Sequence, residues 1–131
     1  MTGEQMGNGR VHEIEQLTRQ TDDYRRVVQT GPHSQLVTMH LRPGEAIGEE
    51  HHDDADQLLH VVSGQGEAVL DGETLAMGPG QLVYVPAGVR HDIRNSGGDS
   101  LRLWTVYTPP EHPDGTVHAT KDEADADEHD H

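Results

Sequence analysis

The chain has no cysteine, so neither a disulfide scaffold nor a thiolate nucleophile is open to it. Any metal must then be held by imidazole, carboxylate or amide oxygen. There is no phenylalanine, and Lys121 is the single lysine; Lys and Arg number 9 against 24 Asp and Glu, a formal charge of −15. So acidic a chain lacks the cations that neutralise phosphates, and nucleic acid is not an expected partner. The same self-repelling, lysine-poor balance fits a salt-rich cytoplasm, an expectation that greatest stability without added salt would contradict. No apolar run is long enough to cross a bilayer, and the opening MTGEQMGNGR carries no secretion-signal core. A cytoplasmic protein with no membrane partner is expected.

Hydrophobic residues make up only 31% of the 131 residues, and the deficit is uneven. The last eleven, KDEADADEHDH, hold nothing apolar larger than Ala, so they are expected to add nothing to a core and to be disordered. His129 and His131 there would chelate weakly at best. The middle of the chain is different. SQLVTMHL, QLLHVVSGQGEAVL, TLAMGPG, QLVYVPAG, HDIRN and LRLWTVYTPP are short, rich in Val, Leu, Thr and aromatics, and separated by turn signals. This is the pattern of an all-β barrel or sandwich. Asp71 and Gly72 can supply the positive φ angles of a tight hairpin turn. Ahead of the strands, HEIEQLTRQTDDYRRVVQTG shows only a faint apolar stripe in Ile14, Leu17 and Tyr24, which predicts a short extended lead-in with room for one helical turn. One domain is expected: an N-terminal extension over 1–30, a β-barrel over 31–110 and an acidic tail over 111–131.

Within GEAIGEEHHDDADQLLHVVSG, residues 44–64, two histidines stand among carboxylates where a strand begins. Side chains two apart in a strand share a face, so Glu50 and His52 form a two-toothed chelate while His51 points away. A one-residue slip would make His51 and Asp53 the inward pair instead. Beyond the DDAD turn, Gln57 opens the next strand, and an antiparallel hairpin brings its amide oxygen beside the first two groups. A fourth donor must come from elsewhere, and GQLVYVPAGVRHDIRN supplies one.

Residues 80–95 resemble the second motif of the cupins: Gly80, five residues, Pro86, one, Gly88, two, His91, three, Asn95. Residues 44–64 resemble the first in spacing, with Gly44, Glu50, His52, Gln57 and Gly64. The common motif places His, His and Glu where this chain has Glu50, His52 and Gln57, and the resemblance adds His91 as the remaining ligand. The set still carries one negative charge. Two His and one Glu also form the triad of open iron(II) sites, with Gln57 a weaker fourth oxygen, and Mn, Fe, Ni or Zn all suit it. The chain is further similar to small single-domain cupins of the sugar-phosphate or mannose-6-phosphate isomerase-like group, through TGPHSQLVTMHLRPGEAIGEE, the DADQ turn, VPAGVRH and LRLWTVYTPPEHPDGTVH. That resemblance implies a jelly-roll-like β-barrel of two antiparallel sheets, one divalent transition metal, a small-molecule substrate inside the barrel, and a homodimer.

Other residues have structural expectations. His40 and His60 sit at the edge of the core or on the opposite sheet face. Gln35 makes an interior hydrogen bond. Tyr84, Trp104 and Tyr107 pack the barrel, a Tyr hydroxyl near the metal being a potential proton donor. Arg90 projects away from His91. Gly64, Gly66, Gly80 and Gly88 shape turns rather than cradle phosphate. The metal, as a Lewis acid, would serve isomerisation of a hydroxy-carbonyl compound such as a sugar. An iron-dependent dioxygenase is the alternative, and a non-catalytic metabolite-binding module is a further one. A scarcity of inward-facing cations counts against a phosphorylated substrate.

Overall fold

The computed structural model describes residues 9–50 and 52–129. Among the described residues, helix α1 (Ile14–Gln20) leads into nine strands: β1 (Arg25–Thr30), β2 (Gln35–Leu41), β3 (Asp56–Ser63), β4 (Gly66–Leu70), β5 (Glu73–Met77), β6 (Leu82–Val85), β7 (His91–Arg94), β8 (Leu101–Thr108) and β9 (Val117–His118). Helix α2 (Lys121–His129) follows. The strands form two antiparallel sheets, one ordered β6-β3-β8-β2-β1-β9 and the other β5-β4-β7. This is the all-β, two-sheet barrel that the strand pattern predicts.

Period-two alternation decides which face turns inward. Along β8, Leu101, Leu103, Thr105 and Tyr107 are buried while the residues between them are half-buried. On β3, Gln57, Leu59 and Val61 face the same interior. With Val37, Met39 and Leu41 of β2 and Ile93 of β7 they fill one continuous core. Each buried Val, Leu, Ile or Met among them contributes roughly 1.5–3 kcal/mol through removal of apolar surface from water. The hairpin between β4 and β5 turns at Asp71 (φ 48°) and Gly72 (φ 85°), as expected. Gly64 is required by space as well as by its φ of 92°, since a Cβ there would meet the backbone at Ser100 O and lie 2.8 Å from Leu101 Cα.

The structure departs from the sequence reading at both ends. The large sheet crosses the boundaries expected at 31 and 110, because β1 pairs with β2 on one side and with β9 on the other. The lead-in forms two turns of helix rather than one. The segment expected to be disordered and coreless is helix α2, and Ala124 is 1% exposed within the core cluster. Local chemistry explains the correction. Thr120 Oγ1 accepts from Glu123 N–H (3.1 Å) and Glu123 Oε1 accepts from Ala119 N–H (3.2 Å), close to a capping box. Asp122 and Glu123 lie at the positive end of the helix dipole, which favours acidic side chains there. Lys121 pairs with Asp125 at 2.9 Å. His131 lies outside the described residues.

Candidate metal centre

The segment before β3 runs antiparallel to β7. Gly44 N–H donates to Asn95 O (3.2 Å), Ile47 N–H to Ile93 O (2.9 Å), and Glu50 and His91 exchange both backbone hydrogen bonds, at 2.7 and 2.9 Å. Residues that exchange both bonds are directly opposite, with side chains on one face. The Glu50 carboxylate and the His91 imidazole are therefore neighbours by backbone register. Gly88 N–H donates to His52 O (2.8 Å), tying the turn before β7 to the third residue of the group. Asn95 Nδ2 donates to Leu41 O (2.9 Å) and Asp99 O (2.8 Å), so this side chain holds β2 and the following loop to the end of β7.

Three donor atoms converge. One ligand atom each from Glu50, His52 and His91 lies within 4.8 Å of the others. Glu50 Oε1 is 3.6 Å from His52 Nε2 and 3.9 Å from His91 Nε2. Atoms each about 2.1 Å from a shared cation lie roughly 3–3.5 Å apart, so a small contraction would satisfy one ion. His91 Nδ1 contacts Val89 O at 3.0 Å. A carbonyl only accepts, so Nδ1 carries the proton and Nε2 presents its lone pair. That Nε2 is buried with no hydrogen-bond partner among the described residues.

Gln57 is also buried on β3, and its orientation follows from proton counting. The Thr105 hydroxyl donates its one proton to Leu58 O (2.8 Å), so toward Gln57 it can only accept, and it takes Gln57 Nε2–H at 3.0 Å. Gln57 Oε1 is left on the other side, buried and without a partner. The structure brings Glu50, His52 and His91 together, and Gln57 Oε1, an acceptor like their converging atoms, is buried and unsatisfied among the described residues.

The surroundings come from distant parts of the chain. Glu111 Oε2 lies 3.6 Å from His52 Nδ1, the ring atom opposite the converging Nε2. Gln35 fixes this loop: its Oε1 accepts from the backbone N–H groups of Glu111 (3.2 Å) and His112 (3.0 Å), and its Nε2 donates to His112 O (2.7 Å). Tyr107 packs edge-on to both His52 and His112, with ring centroids 6.4 and 5.3 Å away. Arg25, Glu50, Glu111, His112, Pro113, His118 and Asp127 line a cavity of about 230 Å³.

Electrostatics follow this arrangement. Burial by itself would raise the Glu50 carboxyl, but the contact with His52 and the nearby Arg25 cation outweigh it and lower its pKa. Burial, followed by the Glu50 charge, pushes the Tyr107 hydroxyl up, keeping it protonated. His112 is pulled down to about 4, first by burial and then by the nearby Arg25 cation.

Of the other residues singled out in the sequence, His51 lies outside the described residues, and Asp53 is exposed. His40 bonds Asp22 O and Ser100 Oγ, and His60 stacks on Trp104 at 4.9 Å, so neither belongs to the cluster. Arg90 is exposed beside Glu49. Tyr84 is half-exposed on β6, away from the buried Tyr107. Sequence reasoning missed Arg25, Glu111, His112, His118 and Asp127; only the T-x-x-E signal at 120–123, which starts α2, pointed toward any of them.

A double-sheet barrel with an interior cluster of two imidazoles and a carboxylate has donors that could hold a metal ion. The chain belongs to the cupin family: the cupin domain model matches residues 37–107. It is 38% identical over 117 residues to the uncharacterized protein YrkC of Bacillus subtilis (strain 168), covering 85% of this chain and 63% of that protein. The crystal structure of BH2720 from Bacillus halodurans superposes with a TM-score of 0.89 at 36% identity, over 91% of this chain and 95% of that one. A stretch of 76 residues is 30% identical to a mannose-1-phosphate guanylyltransferase of Salmonella montevideo, covering 58% of this chain and 16% of that protein.

Proposed function

We propose that Glu50, His52, Gln57 and His91 hold one divalent transition metal (Mn, Fe, Ni or Zn), and that the protein is a small-molecule enzyme of the sugar-isomerase kind. The observation that carries this is the convergence of Glu50 Oε1, His52 Nε2 and the buried, unpartnered His91 Nε2. Gln57 Oε1, turned away from Thr105 and unsatisfied, is the natural fourth donor. Such a cation supplies Lewis acidity toward a carbonyl or hydroxyl oxygen. The protein's own residues do the rest. Glu111 orients His52 through Nδ1, a carboxylate–histidine arrangement that raises ligand basicity. His112, whose Nε2 is buried without a partner and whose side chain lines the cavity, is placed to take up a substrate proton. The partial likeness to a mannose-1-phosphate guanylyltransferase supports sugar chemistry.

Elemental analysis of protein purified without added metal tests the site. About one equivalent is expected, with loss in both His52→Ala and His91→Ala; retention in either removes the proposed ligand set. The two-His-one-carboxylate set also suits an iron-dependent dioxygenase. Oxygen consumption by iron-loaded protein with candidate substrates would favour that alternative over isomerisation. A module that binds a metabolite without turnover would instead keep its biological effect when Glu50 and His91 are replaced.

The expected homodimer is supported by Leu82 and Tyr84, exposed on the unpaired β6 edge, with Leu75 nearby on β5. Such an edge invites a second copy. Leu82→Asp should convert a dimer to a monomer in light scattering; a wild-type monomer would dispose of the idea.

A further inference from the structure

In the cavity that Glu50 also lines stands a buried cation that makes no hydrogen bond to the three converging donors. Arg25 opens β1 and is 2% exposed, with its guanidinium 5.3 Å from the Tyr24 ring centroid. Its Nη1 meets His118 Nδ1 at 3.3 Å, and its Nε–H is buried with no acceptor. Among the described residues no carboxylate forms an ion pair with it. Arginine is always a donor, so His118 Nδ1 must accept, and His118 Nε2–H then donates to Asp127 Oδ2 at 2.9 Å. Asp127 thus fixes His118, and Glu111 faces His52. Neither is the direct partner of Arg25. A buried charge without a hydrogen-bonded counter-charge is costly, and here it lines a cavity that also contains Glu50.

We infer that Arg25 is the receptor for the carboxylate of a small organic acid, held so that the acid's other oxygen-bearing end faces Glu50, His52 and His91. The guanidinium edge that carries Nε matches the two oxygens of one carboxylate. His118, fixed by Asp127, is the positioning residue for that guanidinium. A dianionic phosphate fits less well, because one cation would face it against the carboxylates of Glu50, Glu111 and Asp127 around the same space. The cavity, at about 230 Å³, suits an acid of a few carbons. This assignment rests on the proposed metal site only for what stands opposite the carboxylate, and it names the acid class of the hydroxy-carbonyl substrate.

Isothermal titration of metal-free and metal-loaded protein with lactate, pyruvate, propane-1,2-diol and inorganic phosphate tests it, with metal content measured in parallel. Lactate and pyruvate should bind both forms, more tightly when metal is loaded, while propane-1,2-diol, which replaces the lactate carboxylate with CH₂OH, should bind at least about tenfold more weakly. Arg25→Gln should lose about tenfold or more in lactate affinity while keeping its metal. Arg25→Lys, which keeps charge but not the fork, tests the same point should the glutamine variant fail to fold; it too should weaken lactate binding. Lactate and the diol binding alike, phosphate binding more tightly than either acid, unchanged lactate affinity in the folded variants, or no acid binding at all would each overturn the assignment. Absence of metal together with Arg25-dependent lactate binding would instead remove only the metal reading.

Discussion

The converging donors and the rest of the cavity lining are built in different ways. Among the donors, Glu50 and His91 are backbone partners that exchange both of their hydrogen bonds, with His52 two residues along and tied to Gly88. In the lining, Arg25 comes from the first strand, Glu111 and His112 from the loop after β8, His118 from β9 and Asp127 from α2. The first group is organised by strand register, so its donors recur at fixed gaps in the chain. The second is organised by docking of the two chain ends, and side-chain hydrogen bonds from Gln35 and Asp127 hold it in place. Chemistry placed by register should tolerate loss of the docked ends, whereas the reverse dependence should be weak.

The sharpest break between the two groups comes from paired substitutions. His91→Ala should reduce metal affinity more than about 100-fold, beyond the effect expected of an outer partner. It should also leave the helical signal of α2 intact, as read by circular dichroism. Ala124→Asp does the opposite: a carboxylate forced into a position 1% exposed should cost about 3 kcal/mol or more in chemical denaturation, with about one equivalent of metal still bound. Equal metal loss in both variants would show that the two groups are not separable.

Glu111→Gln probes the contact between the groups. It removes the charge facing His52 Nδ1, and metal affinity measured by competition with a chelator should fall about tenfold. An effect of similar size belongs to His112. Its folded pKa of about 4 lies below the ordinary 6.5, so the folded state favours the neutral ring. The stabilising contribution is then fully present above about pH 6.5 and is lost as pH falls through about 4. With its partial exposure discounted, it amounts to about 2 kcal/mol at most, and His112→Asn should flatten the fall in unfolding free energy between pH 7 and 4.5. The least consequential change is Lys121→Ala. It removes an exposed i,i+4 pair with Asp125 and should cost no more than about 0.5 kcal/mol.

Legibility in the chain follows the same division. β2, β3 and β8 were visible because alternating Val, Leu and Met on one face is what a half-buried strand demands, and the turn at Asp71 and Gly72 was visible because few residues accept its φ angles. Glu50 and His52 were legible from a two-residue period, whereas His91 was supplied by the resemblance to the second cupin motif, because its pairing with Glu50 is a tertiary contact. Helix α2 was misread because its stability comes from a Thr120–Glu123 cap and one buried Ala124, not from an apolar stripe. Arg25 looked like an ordinary basic residue beside Arg26. Only the pairing of β1 with β2 and β9 turns the first inward and leaves the second exposed.

From its order of residues alone, this protein was bound to form short amphipathic strands around an apolar interior and to carry imidazole and carboxylate donors at strand spacing, because both properties depend on neighbours a few positions apart. Which charges meet around the cavity was decided only by the tertiary structure. Contacts between β1, the loop after β8, β9 and α2 join residues far apart in the chain, and no local periodicity encodes the burial of Arg25 against His118 in a cavity that Glu50 also lines.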